Sequence, residues 1–182
     1  MNVRQLSACL AVVGLLVIGT ATARAQKDAK SAEAVAEIRK LGGKVELDEE
    51  RPDHPAIKVD LRRTKVTDKD LEHLKSLKHL QVLYLNHTGI GDEGLEHLTG
   101  LNDLHTLSIH STKMTDKGLA HVTKMPNLRV LIICGNPITD EGLQQLRGMT
   151  NLQEIYIYAT KISAAGAKGL RAELPKTRIE GK

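Results

Sequence analysis

The chain has 182 residues, of which 41% are hydrophobic and 26% are charged, a composition that fits one modest globular domain. It contains no Phe, no Trp and three Tyr, so its core must be built from Leu, Ile, Val and Met in many thin, similar layers. The formal net charge is +4, and setting aside the first 25 residues with Arg4 and Arg24 leaves 24 basic against 22 acidic side chains. This near-neutral balance excludes nucleic acid as the default partner.

Residues 1–25 have the features of an export signal. Arg4 gives a positive start, and the apolar run from Leu10 to Thr20 is too short to span a bilayer comfortably. Ala23-Arg24-Ala25 then forms an A-x-A cleavage site. We expect cleavage after Ala25, a secreted or periplasmic protein, and no membrane span in the mature chain. The alternative is a segment that is kept as a membrane anchor.

Residues 26–55 are predicted to form an N-terminal cap. The segment from Ser31 to Lys40 carries apolar residues on one side of a helix, and Gly42-Gly43 ends that helix. Val45 and Leu47 alternate with charged residues, as in an edge strand. The polar segment DEERPDHP then links the cap to the remainder of the chain.

Residues 56–182 repeat with a period of 24 residues. Three apolar columns and one polar column recur in register. The apolar columns are Leu80, Leu104, Leu128 and Leu152; Leu83, Leu107, Leu131 and Ile155; and Leu85, Ile109, Ile133 and Ile157, and the polar column is Thr88, Thr112, Asn136 and Thr160. An earlier, degenerate copy keeps Val59, Leu61 and Thr64. The repeated unit is the pattern L-x-x-L-x-L-x-x-N-x-L.

The second half of each copy is predicted to be a short helix. Thr-Asp pairs at residues 67–68, 115–116 and 139–140 place a hydroxyl cap and then a carboxylate at a helix start. Apolar residues follow at three-residue spacing, which gives a helix with one apolar side. Each copy is therefore strand, turn, helix and turn, and stacking of the copies supplies the core. Leu174-Pro175 ends the last helix, and a final short strand is expected around Ile179.

These features resemble a leucine-rich repeat protein of the subclass whose copies carry T-D-x-G-L after the strand. Residues 115–119 and 139–143 match that motif in full, whereas residues 67–71 have Asp70 in place of the glycine. The chain is similar to the ribonuclease-inhibitor-like branch and to secreted bacterial proteins. The resemblance implies an α/β fold, a curved solenoid of about five 24-residue repeats with parallel strands on the concave face, short helices on the convex face and a cap at each end. Since Thr replaces the family's usual Asn in the polar column, Thr must satisfy the turn backbone.

Such a fold serves mainly as a scaffold for binding. Because side chains alternate along a strand, residues between the core positions point to the concave face. All three tyrosines fall there, and binding surfaces favour Tyr, although Tyr is also simply a good strand former. We predict an exported, non-enzymatic module that binds a protein or a surface polymer through these concave-face residues: Arg62, Tyr84, Asn86, His87, His110, Cys134, Tyr156 and Tyr158.

Two other classes of function stay open. Cys134, the single cysteine after residue 25, shares a column with His110, and these two residues with His87 could hold zinc or form a nucleophile pair. The spacing is that of the repeat, however, so we predict a half-covered thiol, no catalytic residue, no metal and no cofactor. The other alternative is a purely structural spacer in the cell envelope. A convex histidine row is interpreted as a solvated surface: His73, His97 and His121.

Overall fold

The computed structural model describes residue 26 and residues 28–181. The predicted export signal, residues 1–25, lies outside the described residues, together with its cleavage site. Within the described part of the chain, no helix combines the length and apolar character that crossing a membrane requires.

In residues 28–181, seven strands form one sheet and lie in it in chain order. The strands are β1 (Lys44–Leu47), β2 (Ala56–Asp60), β3 (Val82–Tyr84), β4 (Thr106–Ser108), β5 (Val130–Ile132), β6 (Glu154–Tyr156) and β7 (Arg178–Glu180). β1 is antiparallel to β2, and every later pair is parallel. Residues one period apart face each other, as Leu83 does Leu107 and Leu131 does Ile155. This register confirms the predicted leucine-rich repeat solenoid.

The helical side of the solenoid is built from short segments. They are α1 (residues 28–40), α2 (Asp92–Glu96), α3 (Asp116–Val122), α4 (Asp140–Gln144) and α5 (Ala164–Glu173), with 3-10 helices at Lys69–Ser76 and Gln145–Gly148. The inner helices are shorter than their apolar pattern predicts, since α2 ends before Leu98 and Leu101, which are nevertheless buried. A repeat that must also hold a strand and two connections has room for only one or two helical turns.

The core is aliphatic, as the composition requires. Leu83, Leu107 and Leu131 from the strands are fully buried, and so are Leu95 and Leu119 from the helices. One continuous cluster joins these layers from α1 to β7. Burial of a leucine side chain contributes roughly 1.5–3 kcal/mol, so many similar layers take the place of the missing Phe and Trp anchors.

Different elements close the two ends of the solenoid. At the N-terminal end, α1 packs Val35 and Ile38 onto the first repeat. A Cβ on Gly43 would lie 2.7 Å from Leu61 Cδ2, so only glycine lets the chain leave α1 so close to the core. At the C-terminal end, β7 inserts Ile179, which is 5% exposed. α1 and β7 therefore cover the apolar edges that the inner repeats hide by stacking.

The polar column satisfies the backbone of the turn after each strand. The Thr88 hydroxyl donates to Leu85 O at 2.6 Å, and three other threonines make the same bond three residues back: Thr64, Thr112 and Thr160. Asn136 Nδ2 donates to Ile133 O at 3.0 Å and also to Ile109 O of the preceding repeat at 2.7 Å. The threonines thus satisfy the backbone carbonyl groups of their own turns, as predicted, while Asn136 also links two repeats.

The residue before the polar column adopts a left-handed backbone conformation in every repeat. The φ angles are 60° at Arg63, 57° at His87, 51° at Ser111, 68° at Gly135 and 54° at Ala159. In this conformation the N–H of Arg63 donates to Asn86 O in the next repeat at 3.0 Å. Glycine adopts such angles without the steric cost that a Cβ imposes, and only one of these five positions has it.

A ladder of aspartates connects the repeats at the helix starts. Asp92 accepts hydrogen bonds from the N–H of Thr115 at 2.8 Å and from its hydroxyl at 2.7 Å. The same pair of bonds recurs along the chain: Asp116 accepts from Thr139, and Asp140 accepts from Ser163. The bonds to Ser163 lower the pKa of the Asp140 carboxyl. The Asp of each Thr-Asp pair therefore serves the next repeat as well as its own helix.

The glycine of T-D-x-G-L makes room for this carboxylate. A Cβ at Gly118 would lie 2.6 Å from Asp92 Oδ1 of the preceding repeat. No repeat precedes the first one to supply such an aspartate, and there Asp70 replaces the glycine. Its Oδ2 accepts from the N–H of Thr67 at 2.8 Å and from the Thr67 hydroxyl at 2.7 Å. The departure from the motif at residue 70 thus supplies, from within the repeat, the bonds that an earlier repeat would give.

Candidate binding face

The concave face consists of the outward side chains of β2 to β7 and of the residues just after each strand. Its three columns are Lys58, Val82, Thr106, Val130, Glu154 and Arg178; Asp60, Tyr84, Ser108, Ile132, Tyr156 and Glu180; and Arg62, Asn86, His110, Cys134 and Tyr158. Neighbours within a column lie on adjacent strands, about 4.8 Å apart. Seven of the predicted contact residues lie in these columns, and His87 occupies the left-handed turn position beside Asn86.

The N-terminal end of the face carries a stacked ion pair. Arg62 donates to both carboxylate oxygens of Asp60, from Nε at 2.8 Å and from Nη2 at 2.5 Å. These bonds lower the pKa of the Asp60 carboxyl. The guanidinium also lies over the ring of Tyr84, with its carbon 5.2 Å from the ring centroid, a cation–π contact. Arg62 and Tyr84 are therefore held in place before any partner binds.

A partly buried hydrogen-bond network fixes the amide of Asn86, next to this ion pair. Its Oδ1 accepts from Ser108 Oγ at 2.6 Å and from the backbone N–H of His110 at 3.3 Å. Ser108 is 1% exposed, so this hydroxyl is a structural link between strands. Because the backbone N–H can only donate, the oxygen of the amide must be the atom that faces it. The Nδ2 group of Asn86 therefore points away from Ser108 and from the N–H of His110.

Cys134 lies in the predicted column, but it is more covered than the predicted half-covered thiol. It is 8% exposed, in the column between His110 and Tyr158 of the neighbouring repeats. Burial raises the pKa of the thiol, and a hydrogen bond with the backbone of Tyr158 offsets only part of that rise. Such a thiol has less thiolate at neutral pH than a free cysteine.

The ring of His110 is engaged away from this thiol. Its Nδ1 lies 3.0 Å from Cys134 O, and its Nε2 lies 3.2 Å from Ser111 Oγ. The ring of His87 meets that of His110 edge to face, with 4.7 Å between the centroids. A catalytic cysteine needs a base at its sulfur and a lowered pKa. Neither condition is met by this pair as the structure arranges it.

Two tyrosines and three charged residues form the C-terminal end of the face. The hydroxyl of Tyr156 donates to Glu154 Oε2 at 2.6 Å, and this bond raises the pKa of Tyr156. Glu180 accepts from Arg178 Nε at 2.6 Å and from the Tyr158 hydroxyl at 3.3 Å. Tyr158 is 50% exposed and is the one large hydrophobic side chain in the described part of the chain that is exposed.

The histidine row on the helical side differs from its interpretation as a solvated surface. His73 is exposed, but His97 and His121 are half-buried. Their Nδ1 atoms are buried and make no hydrogen bond to any described residue. Among the described residues, no group of three or more His, Cys, Asp or Glu side chains is placed to hold a metal ion.

Sequence reasoning missed three basic residues of the face, and the one that lies outside the repeats is Lys44. Lys44 on β1 lies opposite Asp60 in the antiparallel register and borders a cleft of about 380 Å³ with Arg62, Arg63, Asn86 and His87. The repeat pattern holds no signal for Lys44, because β1 precedes the first copy. Lys58 and Arg178, by contrast, could have been found by extending the strand alternation two residues toward the N-terminus.

Comparison with known proteins gives the same architecture. Residues 76–98 and 124–146 match the family model described as Leucine Rich repeat. No curated protein matches the chain in a sequence comparison.

Two solved structures from Listeria monocytogenes are similar to the chain. Internalin C2 is 28% identical, with a TM-score of 0.51, over 61% of this chain and 46% of that one. The internalin inlF is 24% identical, with a TM-score of 0.51, over 63% of this chain and 31% of that one, and it informs on the fold alone. The chain thus spans less than half the length of either internalin. The repeat matches, the internalin-like fold and the strand register together support a leucine-rich repeat protein.

Proposed function

We propose that the chain is an exported, non-enzymatic module that binds a partner through its concave face, with a protein favoured over a surface polymer. The observation that carries this proposal is the half-exposed Tyr158, which stands beside Tyr156 on a face that the scaffold does not need to be aromatic. Tyrosine contributes large, rigid contact area and a hydroxyl at little entropic cost, and it is enriched among residues that dominate binding energy.

The distribution of polarity on the face supports the same proposal. Its centre is formed by the half-buried Val82, Val130 and Ile132, and charged residues lie toward both ends. An apolar centre with a polar rim is the usual anatomy of a protein interface. Export rests on the features of residues 1–25.

The two alternatives predict different surfaces. A Cys–His enzyme needs an accessible thiol with a base at its sulfur, whereas Cys134 is buried with a raised pKa and the His110 ring is bonded elsewhere. A purely structural spacer has no use for an exposed tyrosine on the concave face. Both alternatives make predictions that mutation can separate.

The test is differential capture of proteins from the cell envelope of the source organism. The double variant Tyr156→Ala with Tyr158→Ala should lose proteins that the wild type retains, as measured by quantitative mass spectrometry. The matched control is Lys117→Ala, an exposed residue on α3, and it should retain them. An identical protein set from the tyrosine variant and the wild type would refute concave-face binding. If captured proteins are lost from a Cys134→Ala variant but not from the tyrosine variant, the Cys–His enzyme is favoured.

Export is tested separately by mass. Mature protein from the source cells should lack residues 1–25. Material that still begins at Met1 would indicate the retained anchor instead.

A further inference from the structure

We propose that the cleft at the N-terminal end of the concave face is a carboxylate subsite that takes an acidic side chain of the protein partner. The inference rests on the proposed function, since it assigns part of the binding face. The cleft is lined by Lys44, Arg63, Asn86 and His87, together with the Asp60–Arg62 pair. It presents hydrogen-bond donors from β1 and from the turns after β2 and β3 to one volume.

Two cations in the cleft make no direct contact with a carboxylate. Arg62 is neutralised by the bidentate bonds to Asp60. Lys44 and Arg63 are exposed and form no direct ion pair or side-chain hydrogen bond with any described residue. The charge of Lys44 acts on the Asp60 carboxylate only at longer range, where it is a minor cause of the lowered pKa of Asp60. The one acidic group of the cleft is therefore occupied already, and the two remaining positive charges face solvent. A guanidinium and an ammonium in this position favour an oxyanion.

The amide of Asn86 adds a neutral donor whose orientation is fixed. Its oxygen accepts from Ser108 Oγ and from the N–H of His110. The Nδ2 group makes no hydrogen bond to a described residue and belongs to a side chain that borders the cleft. Since the buried Ser108 holds the amide in this orientation, the donor is in place before an anion arrives. Preorganised donors lower the cost of binding.

The charge pattern of the whole face favours a short acidic segment over a uniform polyanion. Two unpaired cations match one or two carboxylates. Farther along the face the charges change sign, because Glu154 and Glu180 stand against a single Arg178. A sulfated polymer that carries charge on every unit would meet repulsion there. A peptide with acidic residues at one end and apolar residues over Val130 and Ile132 would not.

Backbone geometry supplies a variant that removes a cleft charge without harming the fold. Arg63 has a φ of 60°, so Arg63→Gly deletes the guanidinium while relieving left-handed strain. Lys44→Gln removes the second charge from the surface of β1. Lys117→Gln, on the exposed side of α3, is the matched control, since it removes one positive charge far from the cleft.

The experiment is a titration of the isotope-labelled full chain with capped tetraglutamate, followed by amide NMR shifts that include the Asn86 Nδ2 signal. Shifts should concentrate at Arg63, Asn86 and His87, and the dissociation constant should rise about fivefold for Lys44→Gln and for Arg63→Gly, as expected for one lost ion pair. The Lys117→Gln control should match the wild type, capped tetraglutamine should give no shifts, and raising the salt concentration should weaken binding.

Four results would overturn the proposal. These are no binding of tetraglutamate, equal weakening by all three charge variants, shifts spread evenly over the surface, and tighter binding of a sulfated heparin disaccharide than of tetraglutamate at the same cleft. A thermal melt shows whether the Arg63→Gly variant is folded. If that variant is unfolded, the dissociation constant of the Lys44→Gln variant alone tests the charge dependence. If the tyrosine variants lose captured proteins but tetraglutamate does not bind, this inference fails alone. If tetraglutamate binds but the tyrosine variants capture every protein, the proposed function fails alone.

Discussion

At the scale of single residues, Ala159 shows a conflict between the side chain and the backbone. It holds a φ of 54° and is exposed, and a left-handed conformation costs an L-residue roughly 1–2 kcal/mol. Glycine removes this cost but gains freedom in the unfolded chain. We therefore expect Ala159→Gly to raise the free energy of unfolding by about 0.5–1 kcal/mol, as measured by urea titration. Ala120→Gly, at an exposed position inside α3, should lower the free energy of unfolding by a similar amount. Changes of the same sign in the two variants would contradict the strain argument.

Cys134 is a second residue whose behaviour follows from its surroundings. Because the side chain is 8% exposed and burial raises its pKa, a thiol reagent should modify it at least about tenfold more slowly in the folded protein than in urea. Raising the pH should speed the reaction, since more thiolate forms. The measurement uses a Cys9→Ser variant, so that Cys134 is the only thiol. Native and unfolded rates that agree at neutral pH would mean that the thiol is open to solvent.

At the scale of the repeating element, the aspartate ladder dictates where glycine is required. The side chain of Asp116 packs against Gly142, and a Cβ there would overlap its carboxylate. The backbone cannot shift without breaking the bonds from Asp116 to Thr139. We expect Gly142→Ala to cost about 1–3 kcal/mol of unfolding free energy. Gly148→Ala is the matched control, because a Cβ there meets nothing within 4 Å, and it should be neutral or stabilising. Similar costs for the two variants would remove the ladder as the reason for the motif.

The same element shows what the sequence can and cannot predict. The strand columns are predictable because one buried face leaves a strict two-residue alternation, and the stacking repeats it every period. The Thr-Asp pattern predicts Thr115 as a helix cap, and its Oγ1 does accept from Lys117 N at 3.3 Å. The hydrogen bonds from Thr115 to Asp92 of the preceding repeat could not be predicted, because the sequence of a single copy does not show which atoms of a neighbouring copy it contacts.

The binding face also has features that the sequence predicts and features that it does not. Alternation places Tyr156 and Tyr158 on it, whereas the exposed fraction of Cys134, 8%, is a property of the assembled repeats that alternation alone does not predict. Lys44 joins the face only because β1 runs antiparallel to β2. Pairing direction of a single short strand outside the repeat has no signature in the sequence.

At the scale of the whole molecule, stability is the sum of layers that contact only their neighbours. Leu107 is fully buried in β4 and pairs with Leu83 on one side and Leu131 on the other. Ile179 occupies the same column in β7, is 5% exposed and pairs only with Ile155. The same kind of truncation should therefore have different consequences at the two positions.

We expect Leu107→Ala to lower the free energy of unfolding toward the upper part of the range of about 2–5 kcal/mol, because packed layers on both sides keep the cavity from collapsing. Ile179→Ala should cost about 2 kcal/mol, since the end of the solenoid can relax. Urea titration measures how much each variant lowers the free energy of unfolding, and amide hydrogen exchange shows how far along the sheet the destabilisation extends. Exchange should accelerate throughout the sheet in the first variant but only near β6 and β7 in the second, because a terminal layer can open without its neighbours. If Ile179→Ala accelerated exchange as far as β3, the layers would unfold as one unit, and the nearest-neighbour description of this solenoid would be wrong.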